Sequence, residues 1–209
     1  FVNVTFSAAI VLHLSYFDAP QQTLNVTLLQ CVLVGLSIRG SGARVHVNVT
    51  SSMLDAGALE FRGGFGASSQ ILVVGSMLVT TSDHAILFVE CTLGANLTLL
   101  LLDNYIEGNR YAVYFFTGVV DGGGIIVKGN ALSTTEEDEG VESAVRVYAV
   151  DVRNGGYFDV ENNTMSAVSA IYLYGGTTVS SAGLLRVADC TFVGSTDFLI
   201  PRWYIWTAL

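Results

Sequence analysis

Ile125-Ile126-Val127-Lys128-Gly129-Asn130-Ala131-Leu132 reads as a short β-branched strand, a turn, and an apolar residue two places past the turn. The rest of the chain repeats it. The same run recurs as Val26-Thr27-Leu28-Leu29, Val45-His46-Val47-Asn48-Val49, Ile71-Leu72-Val73-Val74, Leu97 to Leu102, Tyr157-Phe158-Asp159-Val160 and Leu184-Leu185-Arg186-Val187. Each ends in a turn that places Cys31, Ser52, Ser76, Asn104, Asn130, Asn163 and Cys190 in one column. Leu33, Leu54, Leu78, Ile106, Leu132, Met165 and Phe192 follow two places later. Spacings in that column are roughly 21, 24, 28, 26, 33 and 27 residues, so strands hold register while loops vary in length.

A companion run precedes each of these, as in Ala58-Leu59-Glu60-Phe61, Ala85-Ile86-Leu87-Phe88, Ala112-Val113-Tyr114-Phe115, Ala144-Val145-Arg146-Val147 and Ala170-Ile171-Tyr172-Leu173. The series starts at Ala9-Ile10-Val11-Leu12 and begins an eighth time at Phe198-Leu199-Ile200. Two short alternating strands per repeat, with no amphipathic helix between them, predict an all-β chain wound as a parallel β-helix of the pectin-lyase-like kind. About 7–8 coils of roughly 26 residues, stacked about 4.8 Å apart, would make a rod of about 35 to 40 Å. Parallel crossovers are almost always right-handed, so a right-handed winding is expected. Residues 1–199 form one such unit, and residues 200–209 fall outside the pattern.

Composition agrees. Hydrophobic residues make up 51% of the chain and charged ones 13%, with Gly 22 and Pro 2, which suits a narrow core with tight corners. The longest apolar run is too short to span a bilayer as a helix. With no initiator Met and no polar cap at either end, the chain is expected to be an internal piece of a longer solenoid. Both ends would then expose strand edges and apolar core, which favours association. The net charge of −9 argues against nucleic acid or an anionic membrane surface as the partner.

Signals for catalysis or metal binding are thin. The acidic run Glu136-Glu137-Asp138-Glu139, with Glu142, lacks the spacing of a calcium loop and reads as a solvated loop. His13, His46 and His84 fall in unrelated registers, so no metal triad or nucleophile and base pair is expected. Gly122-Gly123-Gly124 reads as a tight corner, since no helix follows to hold a phosphate. Asp103, Lys128, Glu161 and Asp189 are expected to stack as an exposed stripe before the turn, without a paired Arg in register. A polysaccharide lyase or glycosidase needs clustered carboxylates with a nearby cation. That alternative is carried by architecture alone. No cofactor is implied. Cys31 and Cys190 share a column about 29 Å apart along the axis and cannot bridge. Cys91 has no partner at equivalent positions, so three buried thiols at turns are expected.

Two features point outward instead. Sequons occur at Asn3, Asn25, Asn48, Asn96 and Asn162, which suggests passage through a secretory pathway. Aromatic residues crowd the later repeats, and alternation in Tyr172-Leu173-Tyr174 puts both tyrosines on one face. Tyr114, Arg146, Tyr172 and Tyr174 are therefore candidates for a binding stripe along one sheet, with core filling by these rings as the alternative.

The stretches Gly42 to Ser52, Asp121 to Asn130 and Val150 to Asn163 resemble the dispersed gene family protein of trypanosomes, a likeness running from about Gln30 to Leu199. The resemblance implies a very large glycosylated surface protein of β-helical repeats, anchored in the membrane by segments outside this chain. It also implies adhesion to host matrix, and brings no catalytic residues. The expected function is thus a non-enzymatic cell-surface adhesion or display module binding a host extracellular-matrix protein or glycan. A structural spacer or immune decoy is the other non-enzymatic reading. Pro201-Arg202-Trp203-Tyr204-Ile205-Trp206-Thr207 departs from the likeness and holds both tryptophans. Read one base earlier, its codons restore an alternating strand that ends at a turn, so the tail is expected to be a frameshift product.

Overall fold

The computed structural model describes residues 23–42, 44–55, 57–135, 142–193 and, by backbone alone, 203–207. Asn3, His13, the run Glu136–Glu139, Phe198–Ile200 and the start of the tail lie outside the described residues. Every described element is a strand, and the strands fall into three sheets. Sheet A runs β1 (Thr23–Leu29), β4 (Arg44–Thr50), β7 (Gln70–Val74), β10 (Thr98–Leu102), β13 (Gly124–Lys128), β16 (Tyr157–Glu161), β20 (Leu184–Ala188) and β22 (Trp203–Thr207). Sheet B runs β2 (Val32–Leu33), β5 (Met53–Asp55), β8 (Met77–Val79), β11 (Tyr105–Gly108), β14 (Ala131–Thr134), β17 (Thr164–Ser166) and β21 (Thr191–Val193). Sheet C runs β3 (Leu36–Ser41), β6 (Leu59–Phe65), β9 (His84–Leu93), β12 (Tyr111–Asp121), β15 (Ser143–Arg153) and β18 (Ser169–Tyr174), with β19 (Thr178–Val179) also on β15.

Chain order visits A, B and C in turn, and each strand pairs in parallel with its counterpart one repeat away. The molecule is a three-sided β-solenoid. The two apolar runs of each repeat are sheets C and A. Sheet B, whose strands are two to four residues long, grows from the apolar position after the turn and carries too little pattern to announce itself. The tail strand β22 departs from the rest by running antiparallel beside β20.

Alternation fills the interior. On sheet A, Val47, Ile71, Leu99, Ile125 and Phe158 stack inward, and on sheet B Leu54, Leu78, Ile106, Leu132 and Met165 do the same. On sheet C, Phe61, Phe88 and Phe115 stack almost face to face, with ring centroids 5.0 and 4.7 Å apart. Phe158 closes the row edge-on at 4.8 Å from Phe115.

The turn column becomes a hydrogen-bond ladder at the corner between sheets A and B. The backbone N–H of Cys31 donates to Ser52 Oγ (3.2 Å), that of Ser52 to Ser76 Oγ (3.1 Å), and that of Ser76 to Asn104 Oδ1 (2.9 Å). Asn104 and Asn130 N–H groups donate to Asn130 and Asn163 Oδ1, at 3.0 and 2.9 Å. The corner takes its bend one residue earlier, where Gln30, Ser51, Gly75, Asp103, Gly129, Asn162 and Asp189 all have φ between 47° and 69°. At Gly129 a Cβ would sit 2.2 Å from Asp103 Oδ1, so a side chain there would have to displace the Asp103 carboxylate. Gly122, with φ 70°, forms the corner between β12 and β13 that the triple glycine foreshadows.

None of the three cysteines forms a disulfide. Cys31 and Cys190 sit in the ladder column, Cys190 only half-buried. Contrary to expectation, Cys91 is not at a turn: it lies inside β9, buried, and burial pushes its thiol up to about 12.

Candidate functional site

The outer face of sheet C changes character along the stack. One outward column reads Ser37, Glu60, Leu87, Tyr114, Arg146 and Tyr172, and its neighbour reads Arg39, Arg62, Val89, Phe116, Tyr148 and Tyr174. The first two positions of each column are polar or charged, and the later ones are apolar or aromatic around one arginine.

Arg146 is the centre of that aromatic end. Its guanidinium carbon lies 4.5 Å from the ring centroids of both Tyr111 and Tyr174, 5.5 Å from Tyr114 and 5.6 Å from Tyr172. Arg146 Nε donates to the Tyr174 hydroxyl at 2.8 Å, and Nη1 donates to that of Tyr111. The hydroxyls of Tyr114 and Tyr174 share a hydrogen bond at 3.2 Å. Phe116 stacks on Tyr148 (5.2 Å, 11°), and Tyr148 leans on Tyr174 (4.6 Å). Burial raises the Tyr111 and Tyr114 phenols above their ordinary value, against the nearby guanidinium.

The structure thus brings together Tyr114, Arg146, Tyr172 and Tyr174, and adds Tyr111, Phe116 and Tyr148. Phe116 and Tyr148 were legible as the outward residues two places after Tyr114 and Arg146. Tyr111 was not. It shares parity with the core residues Val113 and Phe115, so alternation points it inward, yet its hydroxyl reaches Arg146.

The acidic stripe does not form as expected. Lys128 pairs with Leu102 and Glu161, and Glu161 pairs with Ala188. Asp103 and Asp189 belong one position later, at the left-handed corner residues. Repeat alignment alone cannot separate two adjacent positions that both carry charged residues. No arginine is in register with Lys128 and Glu161, but from the neighbouring outward column Arg186 lies across Asp159 (2.9 Å from Nε to Oδ1) and reaches Glu161 at 2.9 Å, while Lys128 meets Glu161 at 3.3 Å. Asp159 and Glu161 are engaged in these pairs. No group of three His, Cys, Asp or Glu side chains converges among the described residues.

At the polar end of sheet C, partial burial pushes the Glu60 carboxyl up, but bonds from Arg62 and Ser37 outweigh it and hold it below its usual range. Burial also holds the His84 imidazole below 6.5, against the raising influence of Glu60 and Asp83. Both folded values are depressed, so the unfolded chain binds more protons and stability falls as pH drops. The His84 contribution is lost below its ordinary value of 6.5, and the Glu60 contribution below 4.5. His84→Gln is expected to flatten the fall in urea midpoint between pH 7 and pH 5, and an unchanged slope would remove His84 from the account.

The sequons of the described residues all lie on the outside. Asn25 projects outward from β1 and Asn48 from β4, where Asn48 Oδ1 accepts the Thr50 hydroxyl at 2.6 Å. Asn96 and Asn162 are exposed at left-handed corners, with φ 63° and 53°. The inward carboxamides of the ladder belong to Asn104, Asn130 and Asn163, none of which starts a sequon.

No protein-family model, curated protein or solved structure matches the chain.

Proposed function

We propose that the chain is a non-enzymatic adhesion or display module of a cell surface, binding a host extracellular-matrix protein or glycan through the aromatic end of sheet C. In this reading the winding is right-handed and pectin-lyase-like, with seven to eight coils of roughly 26 residues, as the repeat length suggests. The observation that carries the reading is the seven-residue cluster around Arg146, built from Tyr, Phe and Arg on an outward sheet face. Tyr and Arg are the residues that dominate binding energy at protein interfaces. Phe116 and Tyr172 remain 37% and 36% exposed, an apolar investment that packing of the core does not require. Outward sequons fit a glycosylated rod in the secretory pathway, held at the membrane by other parts of its parent protein. No nucleic acid and no cofactor enters this reading.

The test is retention of the glycosylated protein on immobilised matrix proteins and glycans. Replacing Tyr172 and Tyr174 with Ala is expected to weaken a saturable interaction by about tenfold or more, the scale of a hot-spot loss. Retention that survives the double substitution would move the site off this face, and no retention on any surface would favour a spacer or decoy.

A further inference from the structure

The outer face of sheet A carries an apolar patch in the middle of the stack. Asn48, Leu72, Leu100, Ile126 and Asp159 stand in one outward column. Thr50, Val74, Leu102 and Lys128 stand in the next. Each strand of the patch, β7, β10 and β13, is paired on both sides, so its exposure owes nothing to the ends of the chain. The core is already filled by the inward neighbours Ile71, Leu99 and Ile125, and these outward side chains add nothing to it. The remaining outward column of the same face is polar, reading Asn25, His46, Gln70 and Thr98.

The apolar column thus starts at a sequon and stops at the Asp159–Arg186 ion pair. Asn48 alone among the described sequons heads such a column: Asn25 heads the polar one, and Asn96 and Asn162 sit at corners. The Thr50 hydroxyl holds Asn48 Oδ1 at 2.6 Å, and Nδ2, the atom that would bear a glycan, has no protein partner among the described residues.

We propose that an N-linked glycan on Asn48 lies down along this column, its N-acetylglucosamine core covering Leu72, Leu100 and Ile126, and so keeps sheet A from associating while sheet C stays open. The inference rests on the glycosylated, secretory reading and deepens it. Rungs about 4.8 Å apart put Ile126 about 14 Å from Asn48, a distance that the linear core of an N-glycan spans. Its sugar rings turn C–H faces and acetyl methyls to an aliphatic surface and keep their hydroxyls in water, so apolar area is removed without stranding polar groups. Such a contact is weak by itself. Attachment one rung away makes it intramolecular, at the effective concentration of a short tether.

The sequons also argue for a glycan over a docked protein. Asn25 lies on the same face, and Asn96 and Asn162 flank it at the corners before β10 and after β16. Bulky glycans at these places would screen the face from a partner chain. The described strands of sheet C hold no sequon, so the aromatic cluster is left uncovered.

The test uses the full chain secreted from a eukaryotic host that makes high-mannose glycans. Peptide mass mapping reads the occupancy of each sequon, and endoglycosidase H then trims the folded protein to one N-acetylglucosamine per site. The readouts are fluorescence of the apolar dye bis-ANS and sedimentation velocity. Trimming is expected to raise dye fluorescence several-fold and to make sedimentation concentration-dependent. Asn48→Gln should do the same, with no further gain on trimming, whereas Asn25→Gln should not. Adding Leu100→Thr and Ile126→Thr to Asn48→Gln should cancel the gain, since threonine suits an outward strand position. An unmodified Asn48 overturns the proposal, as does an occupied Asn48 whose trimming changes neither readout, or a gain that survives the threonines. Occupied sequons with unchanged readouts leave the secretory reading in place, and empty sequons throughout remove it together with the inference. Matrix retention that depends on Tyr172 and Tyr174 is measured separately and stands in either case.

Discussion

Asn130→Ala is expected to destabilise the middle of the solenoid by about 3–5 kcal/mol, read as an earlier urea midpoint and as lost exchange protection in β10 and β13. The carboxamide oxygen of Asn130 accepts the Asn104 N–H at 3.0 Å and Asn104 Nδ2 at 2.9 Å. Its nitrogen shares two hydrogens among Leu101 O at 2.9 Å, Lys128 O at 3.0 Å and Asn163 Oδ1 at 3.0 Å. All of this occurs at 1% exposure. Truncation leaves the buried Asn104 N–H without an acceptor, at about 1–3 kcal/mol, and removes further bonds of about 1 kcal/mol each. Asn130→Ser is expected to lose roughly half as much on the same scale, because Ser52 and Ser76 already serve as acceptors in this column. A loss below about 1 kcal/mol for the alanine variant would mean that water replaces the carboxamide and that the ladder is not a stabilising element. Because repeats contact only their neighbours, the exchange effect should fade within a repeat or two.

Phe88→Ala is expected to cost about 3–5 kcal/mol, the usual penalty for deleting a buried ring. Phe88 is 1% exposed and is held between the parallel rings of Phe61 and Phe115. Those stacking contacts add about 0.5–1.5 kcal/mol each beyond burial. Phe88, Cys91, Phe115 and Gly118 line a partly open pocket of about 10 Å³, so packing beside the ring is already incomplete. A Cβ on Gly118 would lie 2.6 Å from Cys91 O, which keeps the adjacent backbones fixed. Phe88→Leu is expected to lose less than half as much, since the same column carries Val147 and Leu173 farther along. Equal losses for Ala and Leu would show that ring stacking, not filled volume, sets the stability here; thermal and urea unfolding of both variants separate the two.

Much of this architecture was legible because it is periodic. The small polar residues from Cys31 to Cys190 announced the ladder, for a corner that buries a polar atom in every repeat admits few side chains. Sheets A and C were visible as apolar runs, whereas the strands of sheet B were too short to set a period. The register of Asp103 and Asp189 was misread by one place, since charged residues stand at both of two adjacent positions before the turn. At the candidate site, Tyr114, Tyr172 and Tyr174 followed from alternation. Tyr111 did not, because β12 buries Tyr111, Ala112 and Val113 in succession and so breaks the two-residue rhythm at its start.

The direction of the ladder bears on synthesis. Each ladder N–H from Cys31 to Asn130 is accepted by a side chain that lies later in the chain. A ribosome or translocon delivers the repeats in that order, so every newly wound coil leaves one buried amide waiting, and the coil behind it supplies the missing oxygen. Assembly is therefore expected to tighten, coil by coil, from the first coil toward the last. A pause in elongation is expected to hold only the outermost coil open, while those already emerged stay locked.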